Sequence, residues 1–319
     1  MADDAKYSPT GATQVLIAAN PRAGMGNRRQ LVEYLARELA AHGLAASVIG
    51  DADALAAESQ ALQQAGHLRA VVAAGGDGTF RLVADRTPPG TPLAILPLGT
   101  ENLLARYLQI SADAPRLAEM IADGTLVHFD AGRAGGQLFS LMAGCGFDAD
   151  VVRRLHEVRS GNIHHLSYAK PILDSIRNYD YPELRIAYAP AESDELSEQL
   201  TARWAFVVNL PRYAGGLNFA PLASGCDGLL DVCTFREGSL WHGLRYLSGV
   251  VFGQHETMAG FSRVRTRRLR IESDARVPYQ LDGDPGGQLP VEITIEPGRL
   301  TLLVDPAWAE KNATESTKS

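Results

Sequence analysis

Cysteine is scarce in this chain: three in 319 residues. Cys145, Cys226 and Cys233 have no Cys-x-x-Cys spacing and cannot all pair, which excludes a disulfide framework and a thiolate metal centre. They read as buried thiols in a reducing compartment. A long apolar run is also missing. No stretch approaches the ~20 residues of a membrane-spanning helix, and the first dozen residues are polar and small, without a signal core. The expected location is cytoplasmic, with peripheral contact at a membrane compatible. Excess positive charge is absent too. Thirty Lys and Arg against 37 Asp and Glu leave a net charge of −7, so no nucleic-acid partner is expected. No repeat or low-complexity tract occurs, and the Asn312-Ala313-Thr314 sequon carries little weight in such a compartment. Two nucleotide signatures are lacking as well. There is no Gly-x-x-x-x-Gly-Lys-Ser/Thr, and no strand–turn–helix carries a proper Gly-x-Gly-x-x-Gly.

What is present is an ordinary soluble composition, 45% apolar and 21% charged, at a length that suits two domains. Strands at Gln14–Ala19, Val48–Ile49, Leu68–Ala74 and Leu93–Leu96 alternate with helical segments. One helix has Leu31, Leu35 and Leu39 on a single stripe, and another is capped by Asp51 or Asp53. That rhythm indicates a parallel sheet covered on both faces, over residues 1–127. From 128 to 304 strands dominate: Val127–Ala131, Leu138–Ala143, Leu184–Ala189, Arg203–Leu210, Leu229–Phe235, Val264–Ile271, Val277–Leu281, Val291–Ile295 and Leu300–Val304. Helices intervene only near 148–158, 166–178 and 239–252, so the second domain is expected to be mainly antiparallel β structure. Ala189–Gln199 reads as a solvated loop, and residues 305–319 as a partly disordered tail.

Three glycine-bearing turns follow buried strands: Asn20–Gly26, Gly75–Thr79 and Pro97–Asn102. Glycine lets a backbone turn tightly and bring its N–H groups to an anion, and a following helix adds a partial positive charge there. For any one turn, close packing is an equally good explanation. Three together, two with a threonine and one with an aspartate, favour a polyphosphate site.

Gly75-Gly76-Asp77-Gly78-Thr79 resembles the nucleotide signature shared by diacylglycerol kinases, sphingosine kinases and NAD kinases. Pro97-Leu98-Gly99-Thr100-Glu101-Asn102, with Leu104-Ala105-Arg106 after it, resembles the second signature of the lipid-kinase branch, which NAD kinases lack. In order along the chain, Asn20-Pro21-x-x-Gly24, Gly144–Ala149, Asp227-Gly228-Leu229-Leu230-Asp231 and Asp282-Gly283-Asp284 are similar to further family motifs. The likeness spans roughly residues 14–304. It implies a nucleotide-binding α/β domain joined to a β-sandwich, with the active site in the cleft between them.

By that resemblance the protein is an ATP- and Mg²⁺-dependent kinase acting on the hydroxyl of a lipid such as diacylglycerol or a sphingoid base. Gly75, Gly76, Gly78 and Gly99 would admit the phosphates, Thr79 and Thr100 would donate hydrogen bonds, and Asn20, Gly24 and Asn102 would bind nucleotide or order the loops. Asp77 and Asp130 would act in the metal and phosphate network, Asp227 and the Leu229 carbonyl would hold a structural Mg²⁺, and Asp284 would be the general base. Plainer readings compete: Asp130 as a turn or cap residue, and Leu281–Gly287 as a hairpin turn. The chain departs from the family at Arg81 and Leu82, where Asn-Glu is frequent, at Leu103, where Asp is frequent, and at Asp284, where Glu is usual. Those departures support one rival, a nucleotide- or lipid-binding regulator without catalysis. The other rival, a NAD-kinase-type enzyme with a soluble acceptor, is opposed by the Pro-Leu-Gly-Thr turn. A homodimer is compatible with the sequence.

Two further features have mainly plain readings. His156, His164 and His165 lack partners for a metal site and read as exposed histidines. Arg263–Arg270 holds five arginines in eight residues. It is suited either to anionic headgroups, through Arg263, Arg265 and Arg267, or, better, to a solvated edge strand.

Overall fold

The structure is a computed structural model describing residues 11–19, 27–158, 178–211 and 217–316. It divides into two compact units, Met1–Phe129 with Gly298–Ser319, and Asp130–Pro297. The expected helix at 166–178, apart from its last residue, lies outside the described residues, as do His164 and His165 and the side chain of His156.

The first unit runs β1 (Gln14–Ala19), α1 (Asn27–Ala41), β2 (Ala45–Ile49), α2 (Ala52–Gln64), β3 (Leu68–Gly75), α3 (Asp77–Arg86), β4 (Pro92–Pro97), the short α4 (Leu103–Tyr107) and α5 (Ala114–Asp123). β1 lies between β2 and β3, and β4 lies beside β3, all in parallel register. Val15, Ile17, Val72 and Leu96 point into one core with Leu35 and Leu39 of α1 and Leu117 and Ile121 of α5. Their alternates Leu16, Val71, Ala73 and Ile95 are buried as well. Both faces are therefore covered, which is why these strands read as unbroken apolar runs. Asp51 caps α2 by accepting from the N–H groups of Asp53 and Ala54 at 3.1 and 2.8 Å.

β5 (Leu126–Ala134) carries the chain into the second unit. There follow β6 (Gln137–Phe139), β7 (Met142–Gly146), α6 (Phe147–Val158), β8 (Leu184–Tyr188), β9 (Glu198–Ala202), β10 (Trp204–Val208), β11 (Leu230–Phe235), α7 (Leu240–Val251), β12 (Phe261–Thr266), β13 (Arg268–Glu272), β14 (Pro278–Leu281) and β15 (Asp284–Gln288). One antiparallel sheet has the order β12-β11-β10-β7-β14-β15. A second is built from β9, β8, β13 and the first residues of β16 (Val291–Leu303). Ala205 and Val207 pack toward the second sheet, against Leu269, Ile271 and Ile293. Their neighbours Trp204, Phe206 and Val208 pack the other way, with Phe147 of α6 and Tyr246 of α7. The result is a β-sandwich with helices on one outer face.

Several strands differ from expectation for identifiable reasons. Leu138–Ala143 is broken at Ser140-Leu141, whose N–H groups bond a distant carboxylate instead of a ladder partner. Val264–Ile271 is two strands in two sheets; Thr266 Oγ1 holds the corner, donating to Ala189 O at 2.7 Å. Val291–Ile295 and Leu300–Val304 form one continuous strand. Its Thr301 and Leu302 pair in parallel with Pro92 and Leu93 of β4, so this end of β16 belongs to the first unit rather than the second.

Where a partly disordered tail is expected over 305–319, the structure has a helix, α8 (Pro306–Ser316), and residues 317–319 lie outside the described ones. Its Trp308 is buried against Tyr107 and Phe129 and donates Nε1–H to Tyr107 O at 3.2 Å, while Asp305 ion-pairs with Arg116 at 2.6 Å. Cys145 and Cys233 are buried as expected, but Cys226 is exposed, in the turn before Asp227.

Candidate active site

In the first unit, two glycine turns meet where β3 and β4 end. Gly75 pairs with Pro97, and Leu98 N–H donates to Gly75 O at 2.9 Å. A Cβ on Gly99 would stand 2.5 Å from Gly76 Cα, and one on Gly75 would stand 2.2 Å from Thr79 Oγ1. Gly99 takes no side chain because the two turns pack directly on each other, and Gly75 because Thr79 of its own turn stands over it, so substituting either tests the fold as much as any ligand. Asn102 holds a left-handed conformation at φ 49°, and its amide closes the second turn. Oδ1 accepts from Gly99 N–H and Nδ2 donates to Gly99 O, both at 2.8 Å.

Asp77 joins the turns from the other side. Its two carboxylate oxygens accept from the N–H groups of Leu103 and Leu104, at 3.0 and 3.1 Å, capping α4. Burial pushes its carboxyl above the usual range; those two N–H bonds pull back, and nearby Glu101 adds to the upward push. Gly78 and Thr79 lie in the first turn of α3, where the N–H groups of Thr79 and Phe80 donate to Gly76 O, both at 3.0 Å. Thr100 is exposed at the tip of the second turn, and Arg81 and Leu82 follow on α3. Asn20 and Gly24 lie outside the described residues.

A pH effect follows from Asp77. Between the ordinary carboxylate range and its raised value, the folded chain keeps a proton that the unfolded chain has released. Stability therefore falls as pH rises through that window. Urea unfolding of Asp77→Asn across acidic pH is expected to show a flatter profile than wild type, and a loss near ~1 kcal/mol for the weakened cap. Identical pH profiles would refute this.

In the second unit, Asp130 is buried and its carboxylate accepts from Gly228 N–H at 2.7 Å, while its N–H donates to Gly225 O. Asp130 is thereby brought to the Asp227–Leu229 loop. Asp227 accepts from Leu229 N–H at 3.0 Å and ion-pairs with Arg265; Asp231 pairs with Arg263 at 2.7 Å. Burial raises the Asp227 carboxyl; Arg265 works against this, and Asp231 and Asp130 add to it. No group of three or more His, Cys, Asp or Glu fit to hold a metal occurs among the described residues. The arginine-rich segment begins as the edge strand β12, turns a corner and continues as β13, which lies between β16 and β8; Arg263, Arg265, Arg268 and Arg270 are each paired to an acid.

Asp284 opens β15 directly after a two-residue turn. Leu281 and Asp284 are register partners, and Asp282 and Gly283 both have positive φ, 51° and 87°. The hairpin is fixed by groups that sequence reasoning passes over. Asp282 is buried, and its carboxylate accepts four hydrogen bonds: from Ser140 N–H and Oγ, Leu141 N–H and Met142 N–H, at 2.7 to 3.0 Å. Gly283 N–H donates to Gln280 Oε1, and Gln280 Nε2 donates to Asp148, both at 2.7 Å. Buried Asn209 donates to the carbonyls of Asp130 and Ser140 at 2.9 and 2.8 Å, tying the Asp130 strand to the segment Asp282 holds. Asp-Gly marks the turn in the sequence; the burial of its carboxylate leaves no such mark.

Residues 14–134 match the family model described as diacylglycerol kinase catalytic domain. Residues 142–304 match the YegS C-terminal NAD kinase beta sandwich-like domain. A Bacillus subtilis protein named diacylglycerol kinase is 25% identical over 291 residues, covering 90% of both chains. A Pseudomonas aeruginosa protein named "Probable lipid kinase YegS-like" is 29% identical, covering 87% of this chain and 90% of its own. A crystal structure described as a diacylglycerol kinase from Bacillus anthracis superposes with a TM-score of 0.65 at 20% identity, covering 92% of this chain and 97% of the other. Yeast NADH kinase shares the fold more distantly, with a TM-score of 0.51 at 10% identity, over 97% of this chain and 88% of its own. The chain belongs to the YegS-type diacylglycerol kinase family of lipid kinases.

Proposed function

We propose that the protein is an ATP- and Mg²⁺-dependent kinase that transfers the γ-phosphate to a lipid hydroxyl, with diacylglycerol the first acceptor to test. The observation that carries this is the pairing of two elements within a lipid-kinase family chain. One is the interlocked Gly75–Thr79 and Gly99–Asn102 turns, and the other is a carboxylate, Asp284, set on a rigidly held hairpin.

Phosphoryl transfer asks mainly for positioning and charge neutralisation. The Gly78 N–H at the start of α3 and the hydroxyls of Thr79 and Thr100 bind phosphate oxygens. Asn102 and Asp77 hold the two turns in register. Asp284 accepts the proton of the lipid hydroxyl as its oxygen attacks. Mg²⁺, when bound, neutralises the phosphate charge. The residues suit it, because this ion keeps several waters and needs only one or two protein carboxylates alongside the phosphates. Asp77 would hold it in the first unit, and in the second unit Asp130 would serve the same network, with Asp227 and the Leu229 carbonyl as a structural site. Binding at Asp227 requires Arg265 to yield its partner.

The test is incubation with γ-labelled ATP and Mg²⁺ against diacylglycerol, a sphingoid base and NAD. Label is expected in a lipid, and EDTA is expected to reduce it to background. Label in NAD alone, or ATP binding with no acceptor labelled, would overturn the proposal.

A further inference from the structure

α7 is apolar on both of its faces. Tyr246 and Val250 are buried against the six-stranded sheet, with Leu247 partly so, and Gly243 and Gly249 let the helix lie close. The opposite stripe points to solvent: Trp241 is 78% exposed, Leu244 39%, Val251 60% and the following Phe252 75%. With Arg245 and Ser248 these positions repeat at i, i+3, i+4, i+7, i+10 and i+11, so they share one side of a helix about 18 Å long. Single exposed apolar residues need no explanation, but four on one stripe, with an aromatic at each end, mark an interaction surface.

We propose that this stripe is a docking face for an anionic lipid bilayer; the inference rests on the lipid-kinase reading above. Three observations favour a bilayer over a protein partner. No helix among the described residues is long and apolar enough to cross a membrane, so a lipid acceptor has to be met at a surface. Trp and Phe are side chains that settle at the boundary of headgroups and acyl chains. The charge pattern also fits: from Ser239 to Gln254 there is no Asp or Glu, in a chain of net charge −7, and the one Arg or Lys is Arg245, exposed within the stripe. A second copy of the chain is a poorer occupant. A two-fold contact through this stripe would bring Arg245 toward its own mate near the helix centre, with no carboxylate on either stripe to pair with it. Phosphate headgroups supply that partner.

The full chain carries its own reporter, since Trp204 and Trp308 are 3% and 8% exposed, leaving Trp241 as the exposed tryptophan. Vesicles of phosphatidylcholine and phosphatidylglycerol are expected to shift its emission to the blue, and brominated acyl chains to quench it. The Val251→Ser/Phe252→Ser double variant is expected to lose vesicle binding at least ten-fold at unchanged melting temperature. It should still turn over a short-chain, water-soluble diacylglycerol at the wild-type rate. Arg245→Glu is expected to weaken binding to anionic vesicles more than to neutral ones. Unquenched Trp241 at saturating vesicles overturns the inference. So does a blue shift that depends on protein concentration without vesicles, which assigns the stripe to a second copy. Because binding is read without turnover, vesicle binding with no lipid phosphorylated upholds this surface and overturns the kinase reading. Soluble turnover with no vesicle binding does the reverse.

Discussion

Alanine in place of Asp284 is expected to lower lipid phosphorylation by about 10²–10⁴-fold while leaving ATP affinity unchanged. The size of the effect follows from what a general base does. The acceptor hydroxyl keeps its proton at neutral pH, and on the proposed reading Asp284 is the group that takes it. Alanine removes the acceptor oxygen without touching the Asp282-Gly283 turn, because Asp284 lies one residue beyond the positive-φ pair. Asparagine should fail almost as badly, being similar in shape but unable to hold the proton. Glutamate, one methylene longer, should keep measurable activity. Initial rates on the best acceptor, paired with ATP titration, decide the matter, and an Asp284→Ala enzyme at the wild-type rate places the base elsewhere.

For stability, the largest expected loss is at Asp282. Alanine there leaves Ser140 N–H and Oγ, Leu141 N–H and Met142 N–H without their acceptor in a buried place. Each orphaned donor costs about 1–3 kcal/mol before relaxation, and alanine at φ 51° adds about 1–2 kcal/mol of backbone strain. Partial entry of water offsets some of this, so a net loss of about 3–5 kcal/mol is expected, a large part of a typical domain's stability. Asparagine tolerates the left-handed backbone and keeps one acceptor oxygen, so it should lose about half as much. Ser140→Ala, which removes a single donor, should lose about 1 kcal/mol. Urea unfolding of the three variants gives the ranking; an Asp282→Ala protein as stable as wild type would remove the carboxylate from its assigned role.

The parts of this fold legible in the sequence are those set by local chemistry. Alternating strands and helices, glycine at strand ends, Asp51 before a helix and Asp-Gly at a turn all act within a few residues of themselves. What stays hidden is long-range. Asp282 and its donors near Ser140 are far apart in the chain, and nothing in Leu138–Ala143 shows that two of its N–H groups leave the ladder. Arg263 and Arg265 look like a basic stripe in the sequence because their acids, Asp231 on β11 and Asp227 just before it, are separated from them along the chain by α7. The glycines of the Gly75–Thr79 and Pro97–Asn102 turns suggest ligand approach in the sequence, and turn-on-turn packing at Gly76 and Gly99 supplies a second need for the same residues. Trp308 carries the signal against a disordered tail; a tryptophan in a polar C-terminal stretch is worth reading as a docking side chain.

The return of β16 to β4 gives the protein an order of manufacture. The ribosome delivers β1 to β4 first, yet the neighbour that covers the free side of β4 is encoded near residues 301–302, after the whole of Asp130–Pro297. During synthesis the nascent parallel sheet therefore waits with an open edge, a template for pairing with another chain. The inserted sandwich, complete within its own segment, can mature meanwhile. Shortened transcripts ending anywhere before residue 301 would release a protein whose first unit cannot be closed, and such fragments should accumulate as aggregates rather than as soluble half-enzymes.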